Sequence, residues 1–561
     1  MNFKIISKRF CGISAFVFCV FLTEFLLYAP FIESPPVFDD HGIIASHQIF
    51  DLAQELFSRY TRTFPYFSIG FVHVISEGDL AWNRYLNIFL YGLVILLLFF
   101  FLSRTAPKGR NKNGNERHVA LRLTCLWFAI NPVAVFAVEY LIQRTIVMAT
   151  LFGLISTVLY LRAQQENRNA DLFSAALLGY VAMMCKEHAV LLPLAIVVLT
   201  PLVTAWSRAV IFRAAGFVAL SLPCMVWAIL YRGADIVGTN YEIYSGQVLA
   251  QMDLPVWAQT SLGLWLLSIA TQSLLFWKYL FLWLVPNPAW MAADLRVDFP
   301  TLWSGWSVWL GLAASSAAFA GALYLWWRDG GATLRGRLAT AVLFVAVLFA
   351  VEFSVVRVQE PFVLYRSFLW MPGYALILAF LLQAADRWAA ERGIVWRRSL
   401  WAVAVLACLG LFPLTQDRLR SFSSEEALWR DAEAKLPRPD VAGADRIYYN
   451  LAGEAFKRKD YAQALDYSDK VILQNPDAFQ GYLALGTSLL ALRDSEGALT
   501  AFDAAERHHP PANFRGYIEF KRCGVYSLRG EKEATIACLR RSAKLGYETA
   551  KFHLRMAGVE E

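Results

Sequence analysis

Long apolar segments alternate with short polar loops along most of this chain, and the pattern becomes amphipathic near its end. An apolar stretch of about 20 residues is long enough to cross the hydrocarbon core of a bilayer as a helix. The pattern therefore predicts an all-α protein, with a polytopic transmembrane helix bundle in residues 1–415 and a separate helical domain in residues 416–561. The eleven predicted spans lie near residues 11–30, 85–103, 121–139, 144–162, 172–185, 189–206, 209–231, 304–327, 338–356, 364–384 and 399–415.

Basic residues set the predicted orientation. Six of them, against the single acid Glu116, lie between Arg104 and Arg122, as is typical of cytoplasmic loops. The N-terminus is then cytoplasmic, the first apolar segment is an uncleaved signal anchor, and residues 31–84 form the first outer loop. Within that loop, residues 47–57 have helical apolar spacing and are expected to lie on the membrane surface.

The apolar stretch at 260–285 disturbs this alternation. If it crossed the membrane, Arg328, Arg335 and Arg337 would move to the outer side, against the preference of arginine for cytoplasmic loops. We therefore expect a re-entrant or interfacial hairpin there, which leaves residues 416–561 on the extracytoplasmic side. These features predict a multi-pass protein of the bacterial inner membrane with a periplasmic C-terminal domain.

Composition and charge narrow the class further. The chain is 57% hydrophobic and 17% charged, whereas soluble chains are roughly 45–50% apolar and about 25% charged. Basic residues in the cytoplasmic loops account for the formal net charge of +7. The lipid bilayer is therefore an expected partner, and nucleic acid is not.

A repeat of 34 residues runs through the C-terminal domain. Ala464 and Ala498 are separated by this interval, and so are Pro476 and Pro510. A helix–turn–helix unit of this length that ends in proline is typical of tetratricopeptide repeats, and a less regular third unit covers about 513–546. Such solenoids bind extended peptides or partner proteins, so a protein acceptor or partner is expected here; the alternative is a compact cap.

Cys523 and Cys538 lie in the third unit. In an oxidising compartment they could form a disulfide, although two cysteines in helices are more often simply buried in a core. The spacing of the eight cysteines in the chain matches no zinc site.

Two adjacent acids follow the first span. Pro35 and Pro36 end the apolar helix, which places Asp39 and Asp40 on a short, stiff loop at the outer surface. Carboxylates there could deprotonate a hydroxyl group or hold a divalent cation, and the alternative is a solvated loop. Glu24, inside the first span, is a further candidate because ionisable groups at that depth are rare.

Other charged residues cluster at the same outer ends of the predicted spans. Arginines in such places can clamp a lipid phosphate, and acids can contact a sugar. Headgroup contacts or local salt bridges are the alternative for any one of them. The set consists of Glu139, Arg144, Lys186, Glu187, His188, Arg232, Lys278, Arg357, Glu360 and Arg366.

Several short motifs are spread over nearly the whole chain. They are Val37–Asp40, Arg84–Asn87, Asn131–Val133 with Glu139 and Gln143-Arg144, Cys185–His188, Lys278–Leu280 with Val285–Asn287, Glu360–Ser367, and Trp429 before the repeats. In this order and topology, the chain resembles the GT-C class of membrane glycosyltransferases. It is most similar to the transmembrane-and-tetratricopeptide O-mannosyltransferase family and its bacterial relatives. It departs from the family at Asn131, where the family has His, at His188, where it has Gln, and at Arg366, where an apolar residue is usual.

The resemblance implies an inverting glycosyltransferase that uses a polyprenyl-phosphate-linked sugar on the extracytoplasmic face. An acid of the first outer loop would deprotonate the acceptor hydroxyl, expected to be a Ser or Thr of an envelope protein, with Asp40 slightly preferred to Asp39. Arg144, Lys186 and Arg366 would stabilise the leaving phosphate. No metal ligand is assigned, and a divalent cation is the only cofactor left open. The expected substrate contacts are Glu139, Glu187, His188, Arg357 and Glu360.

Two other functions fit the same pattern. A non-enzymatic scaffold would recruit envelope proteins through residues 416–561 and would be insensitive to charge-neutral changes at Asp39 and Asp40. A ligase that moves whole lipid-linked glycans would have a similar number of spans, usually with a larger periplasmic loop than is evident here.

Overall fold

Helices provide the regular structure of the computed structural model, which describes residues 3–41, 61–107, 115–230, 236–242, 244–297 and 306–558. Among these residues the β-type pairing is limited to an isolated antiparallel bridge between Leu295 and Phe362. The expectation of an all-α architecture is therefore confirmed for this part of the chain. The predicted surface segment 47–57 and Arg232 lie outside the described residues.

The membrane part is built from helices of very different lengths. In the described ranges, nine helices are long and apolar enough to cross a membrane, or ten if α4 and α5 below form one bent span. The protein is therefore a multi-pass membrane protein. In chain order the helices are α1 (Phe3–Tyr28), α2 (Thr63–Ile75), α3 (Leu80–Thr105), α4 (Asn115–Ala129), α5 (Pro132–Val138), α6 (Arg144–Glu166), α7 (Asn169–Cys185), α8 (Leu192–Val198), α9 (Arg208–Ala228), α10 (Ser245–Ala250), α11 (Ser261–Leu284), α12 (Trp306–Asp329), α13 (Leu334–Phe349), α14 (Met371–Arg392) and α15 (Ile394–Ser421).

The predicted span at 121–139 is bent at its Asn-Pro sequence. Pro132 has no N–H to continue the helix, and α4 and α5 meet at an angle of 57°. Asn131 stabilises the bend, because its amide oxygen accepts from the Val133 N–H (3.1 Å) and its amide nitrogen donates to the Trp283 carbonyl (3.1 Å). The bend carries the next residues, including Tyr140, to the loop that follows α1.

Two of the eleven predicted spans, 172–185 and 189–206, are too short in the structure. α7 has 17 residues, and α8 has 7 residues between 3-10 turns at Glu187–Leu191 and Thr200–Leu202. A proline lies in the first turn of both α8 and the second 3-10 turn, where its missing N–H is tolerated. The segment is therefore divided into short pieces, and the predicted number of spans is too high.

The stretch predicted to form a hairpin at 260–285 is one continuous helix, α11, of 24 residues. The hairpin prediction is wrong. Nevertheless, the chain before and after α11 contacts the same residue: the N–H of Tyr244 donates to the Gln359 side chain (2.8 Å), and Arg296 donates to the Gln359 carbonyl (3.0 Å). Residues before and after α11 thus lie beside Gln359, while α11 itself is long and apolar enough to cross a membrane.

The residues after α15 form successive helix pairs. Asp460 and Asp494 precede the second helices of two pairs, and they accept the N–H groups of Gln463 (3.1 Å) and Gly497 (3.0 Å) as helix caps. Their separation repeats the interval of the sequence pattern, whereas membership of the tetratricopeptide class stays a prediction. The helices are α16 (Glu425–Glu433), α17 (Ala444–Lys457), α18 (Tyr461–Gln474), α19 (Phe479–Ala491), α20 (Ser495–Arg507), α21 (Ala512–Leu528), α22 (Lys532–Lys544) and α23 (Glu548–Met556).

These C-terminal helices pack directly on the membrane part. α15 continues through the predicted boundary at residue 416 to Ser421, and Trp429 and Leu451 belong to the same buried core as the membrane helices. Lys435, just after α16, donates to the Met291 carbonyl beyond α11 (2.8 Å). The beginning of the tail and the membrane part are therefore one continuous structure.

A disulfide joins Cys523 in α21 to Cys538 in α22, with the Cα atoms 5.4 Å apart. It lies in a buried cluster with Leu539 and Leu554. Disulfides are typical of extracytoplasmic proteins and rare in the cytosol. The bond therefore supports the outward orientation proposed for the tail.

The disulfide can be tested in protein taken directly from cells. After unfolding without a reducing agent, we expect Cys523 and Cys538 to resist alkylation, whereas the free thiols of Cys19 and Cys125 react. Replacing both bridged residues with Ala should lower the unfolding free energy of the tail by about 3 kcal/mol, the value expected for a loop of about 15 residues. Mass spectrometry of alkylated peptides and denaturant titration measure the two effects. Alkylation of both bridged positions before reduction would contradict the assignment.

Candidate functional site

The loop that follows α1 presents its two acids in different environments. Phe38 has a left-handed backbone (φ +49°), and its ring packs between those of Tyr140 (5.6 Å between centroids) and Trp429 (5.3 Å). With Phe38 fixed in this way, Asp40 is 1% exposed, whereas Asp39 is exposed to solvent. The predicted pair therefore consists of one internal and one external carboxylate.

The side chain of Asp40 is a structural acceptor. One carboxylate oxygen accepts from the Ile142 N–H (2.9 Å), and the other accepts from the N–H groups of Val37 and Leu141 (3.3 Å each). Burial raises the pKa of Asp40 to about 7, although these amide hydrogen bonds act in the opposite direction. Both oxygens are used inside the protein, which favours Asp39 over Asp40 as the base, and the assignment of either acid stays a prediction.

Asp39 has a free carboxylate instead. Its backbone N–H donates to the Tyr140 hydroxyl (3.2 Å), but no group in the described part of the chain donates a hydrogen bond to its side chain. Asp39 lines a cavity of about 90 Å³ whose walls include Tyr365 and Phe362. A carboxylate in this position has the access and the lone pairs that a general base needs.

A lysine lies behind the wall of this cavity. Lys186 is 3% exposed; its ammonium donates to the Gln143 side-chain oxygen (3.4 Å) and lies 5.5 Å from the centre of the Tyr365 ring. Within the described ranges it forms no ion pair with an acid. Burial, and to a smaller extent the charge of Arg62, lowers the pKa of Lys186 to about 7. An ammonium with so little compensation is a suitable partner for phosphate oxygens.

Glu187 is paired with Arg62, which no sequence motif indicated. The Arg62 Nε donates to one carboxylate oxygen of Glu187 (3.0 Å), and its Nη2 donates to the other. The backbone N–H of Arg62 donates to the Met184 carbonyl (2.7 Å). Burial alone would raise the pKa of Glu187, but Arg62 holds it well below its usual value. Both oxygens of Glu187 are therefore engaged, and its contact with a substrate stays a prediction that this pairing does not favour.

Glu352, which the sequence analysis also missed, binds two arginines of the predicted site. Glu352 is 1% exposed, and one of its oxygens accepts from Arg357 (3.1 Å) and Arg366 (3.3 Å). Its other oxygen lies 3.6 Å from Nε2 of His188. Arg357, which also donates to the Tyr241 hydroxyl (3.0 Å), is thus a structural residue. The signal was present in the sequence, because an acid inside the predicted span 338–356 is rare.

A row of charges of alternating sign connects Arg366 to the C-terminal tail. Arg366 pairs with Glu360 (3.4 Å), Glu360 with Arg446 (3.5 Å), and Arg446 with Asp294 (3.4 Å). Arg446 belongs to α17 and lines the Asp39 cavity, where its guanidinium lies 5.6 Å from the centre of the Phe38 ring. The tail therefore contributes a side chain to the site. Neither Arg446 nor Asp294 lies in a recognisable motif, so only the fold reveals this contact.

Arg144 belongs to a buried network away from the cavity. Its guanidinium donates to the side chain of Asn87 (2.6 Å), to the carbonyl and side chain of Asn83 (2.8 and 2.7 Å), and to the hydroxyl of Ser68 (3.2 Å). Neutral acceptors thus occupy its donors. These internal hydrogen bonds do not favour a contact between Arg144 and the donor phosphate, which stays a prediction.

Glu139 is also a structural residue. It pairs with Arg84 (3.0 Å), and both side chains are 3% exposed. Arg84 donates in addition to the Pro35 carbonyl (3.0 Å), so the pair fixes the beginning of the Asp39 loop. This pairing does not favour a contact between Glu139 and a substrate, which stays a prediction.

An open apolar groove of about 790 Å³ runs along α11. Its lining includes Trp277, Phe281 and Trp290, together with Lys278. The Lys278 ammonium lies 4.7 Å from the centre of the Phe362 ring, and Phe362 also lines the Asp39 cavity. The groove and the cavity are therefore separated by one aromatic ring.

The described residues contain no group of three or more His, Cys, Asp or Glu side chains that could hold a metal ion.

No family model, curated protein or solved structure matches the chain. The resemblance to GT-C glycosyltransferases therefore remains a prediction from the motifs.

The different roles of the two acids predict different effects on stability. We expect Asp40→Asn to destabilise the protein by about 1–3 kcal/mol, because the new amide nitrogen cannot accept a backbone hydrogen bond. Asp39→Asn should change stability by less than about 0.5 kcal/mol, as is usual for an exposed side chain. Thermal unfolding of both variants and the wild type in one detergent measures the difference. Equal melting temperatures for the three proteins would contradict the structural role of Asp40.

Proposed function

We propose that this protein is a membrane glycosyltransferase. It moves a sugar from a polyprenyl-phosphate donor to an acceptor hydroxyl, expected to be a Ser or Thr of an envelope protein, on the extracytoplasmic face. The observation that carries the proposal is the free carboxylate of Asp39 at a cavity whose wall includes Tyr365, with the Lys186 ammonium 5.5 Å from the centre of that ring. A base at the cavity and a phosphate-binding cation close to its wall are the two groups that this transfer requires.

The groove along α11 supports a lipid-linked donor. Its lining is apolar and open, which suits a prenyl chain in contact with the bilayer, and Lys278 supplies a cation beside it. No acid in the described residues forms an ion pair with Lys278. A chain bound in the groove places its phosphate near Lys278 and its sugar beyond Phe362, toward Asp39.

The proposed reaction is a single displacement. Asp39 accepts the proton of the acceptor hydroxyl while that oxygen attacks the anomeric carbon from the side opposite the phosphate. The bond from the anomeric carbon to the phosphate oxygen breaks, its electron pair remains on the phosphate, and the configuration inverts. Lys186 and Lys278 stabilise the charge that develops there. Arg366, tied to Glu352 and Glu360, contributes through its field.

The contact of the tail with the cavity favours this enzyme over a scaffold. A scaffold needs only a surface that recruits partners, whereas Arg446 of the tail is built into the cavity wall beside Asp39. Glu360 and Asp294 hold Arg446 in that place. The arrangement fits an acceptor that is presented to a reactive group.

Asp39→Asn is expected to reduce sugar transfer by about 10²–10⁴-fold, the usual contribution of a general base. The assay is mass spectrometry of envelope proteins and lipids from a deletion strain that carries either the wild-type or the variant gene. A hexose-sized or pentose-sized mass should disappear from the acceptor. Asp466→Asn, at an exposed acid of α18, is the matched control and should retain the modification. Undiminished transfer by Asp39→Asn would exclude this base.

If Lys186 binds the donor phosphate, the affinity for the donor should depend on pH. With a pKa of about 7, the lysine side chain is mostly charged at pH 6 and mostly neutral at pH 8, so affinity for a polyprenyl phosphate should fall about tenfold over that range. Lys186→Arg keeps the charge at both values and should not show this loss. Binding is measured in detergent with both proteins, because their ratio removes the ionisation of the phosphate itself. A constant ratio would show that Lys186 does not bind the phosphate.

A further inference from the structure

A second cavity lies where the tail meets the membrane part. This junction cavity has a volume of about 230 Å³, and its lining includes Tyr244 and Gln247 from the membrane part and Tyr449, Asn450, Gln480 and Phe514 from the tail. Arg446 lines both the junction cavity and the Asp39 cavity. A single side chain therefore borders the two spaces.

Three tail residues of the junction cavity come from equivalent helices of successive pairs. Asn450 lies on α17, Gln480 on α19 and Phe514 on α21, and each of these is the first helix of its pair. In stacked helix pairs, corresponding faces form a continuous surface that can hold an extended ligand. The junction cavity thus lies at the end of that surface, next to the candidate active site.

The side chains around the junction cavity are mainly neutral groups that both donate and accept hydrogen bonds. Gln247, Gln480 and Asn450 carry amides, and the Gln480 side-chain oxygen accepts no hydrogen bond within the described residues. The two arginines of the lining are already paired with acids, Arg296 with Asp294 (2.6 Å) and Arg446 with Asp294 (3.4 Å) and Glu360 (3.5 Å). The acid of the lining, Asp445, accepts from the Asn475 side chain (2.9 Å). Such a lining does not suit an anion. It matches the N–H and C=O groups of an extended polypeptide, whose backbone is otherwise left without partners.

We propose that the junction cavity binds an extended segment of a polypeptide acceptor next to the residue that is modified. The proposal rests on the proposed glycosyltransferase function and adds the place where the acceptor is recognised. The amides of Gln480 and Asn450 bind the backbone of the segment, and the rings of Tyr449 and Phe514 contact its side chains. The segment continues past Arg446, so the hydroxyl group of its next residues reaches Asp39.

Photo-crosslinking tests this binding without requiring sugar transfer. In the full-length protein in detergent, p-benzoylphenylalanine replaces Gln247 or Gln480, and the probe is a biotinylated pool of short peptides with a central Thr and random flanking residues. Both variants should be labelled about tenfold more strongly than one with the same replacement at Asp466. Labelling equal to that control would overturn the proposal. Displacement of the label by a neutral oligosaccharide, but not by unlabelled peptides, would also overturn it in favour of a glycan site.

Matched substitutions test the role of the amides. Asn450→Leu should lower the labelling at position 247 about tenfold, because the backbone of the peptide loses a hydrogen-bonding partner. Asn513→Leu makes the same change at an exposed position of α21 and should leave the labelling unchanged. Equal labelling of the two variants would show that the Asn450 amide does not bind the peptide.

Asp39→Asn separates a failure of this inference from a failure of the proposed function. Added to the crosslinking variants, it should leave peptide labelling unchanged, because Asp39 lines the other cavity. If labelling is absent but transfer depends on Asp39, the function stands and the junction cavity is not the acceptor site. If labelling is present but Asp39→Asn transfers normally, the peptide site stands and the proposed base fails.

Discussion

Three backbone N–H groups converge on the carboxylate of Asp40, and the geometry of the candidate site depends on this interaction. The two carboxylate oxygens hold the loop after α1 against the turn that begins at Leu141. Without them, buried donors on both segments would lose their partners, at a cost of about 1–3 kcal/mol each. Asp39 lies between Phe38, which has a left-handed backbone, and Asp40, which points inward. Its carboxylate therefore points outward. A structural acid thus positions a free one.

The surrounding charges can be buried because nearly all of them are paired. Glu352 serves two arginines, Arg62 engages both oxygens of Glu187, and Arg84 compensates Glu139. Removing one member of such a pair leaves a buried charge and is strongly destabilising, by about 3–5 kcal/mol. Within the described ranges, Lys186 and Arg144 differ because their hydrogen-bond partners are neutral, and Lys186 has a single such partner, the amide of Gln143. An ammonium buried in this way retains electrostatic free energy that an anionic ligand can use.

The sequence was sufficient for features that depend on pattern and insufficient for those that depend on partners. Apolar segments identified most of the membrane helices, since burial acts on every turn of a helix. The 34-residue interval, read from Ala464 and Ala498, recurs in the helix caps at Asp460 and Asp494. The apolar pattern could not show that the prolines divide residues 186–202 into short pieces. The type of charge also does not reveal its partners. Arg144 has the chemistry of a phosphate ligand, but neutral side chains on α3 accept its hydrogen bonds. Arg62 and Arg446 were missed because their partners are distant in the chain.

The predicted boundary at residue 416 shows why composition is a poor guide to the functional unit. Composition changes there because α15 leaves the apolar environment, yet the helix itself continues to Ser421. The helices beyond it return to the membrane part, and Arg446 ends in the wall of the Asp39 cavity. The surroundings of Asp39 are therefore built by the membrane part and the tail together, so a fragment that ends at residue 416 would lack part of the cavity wall.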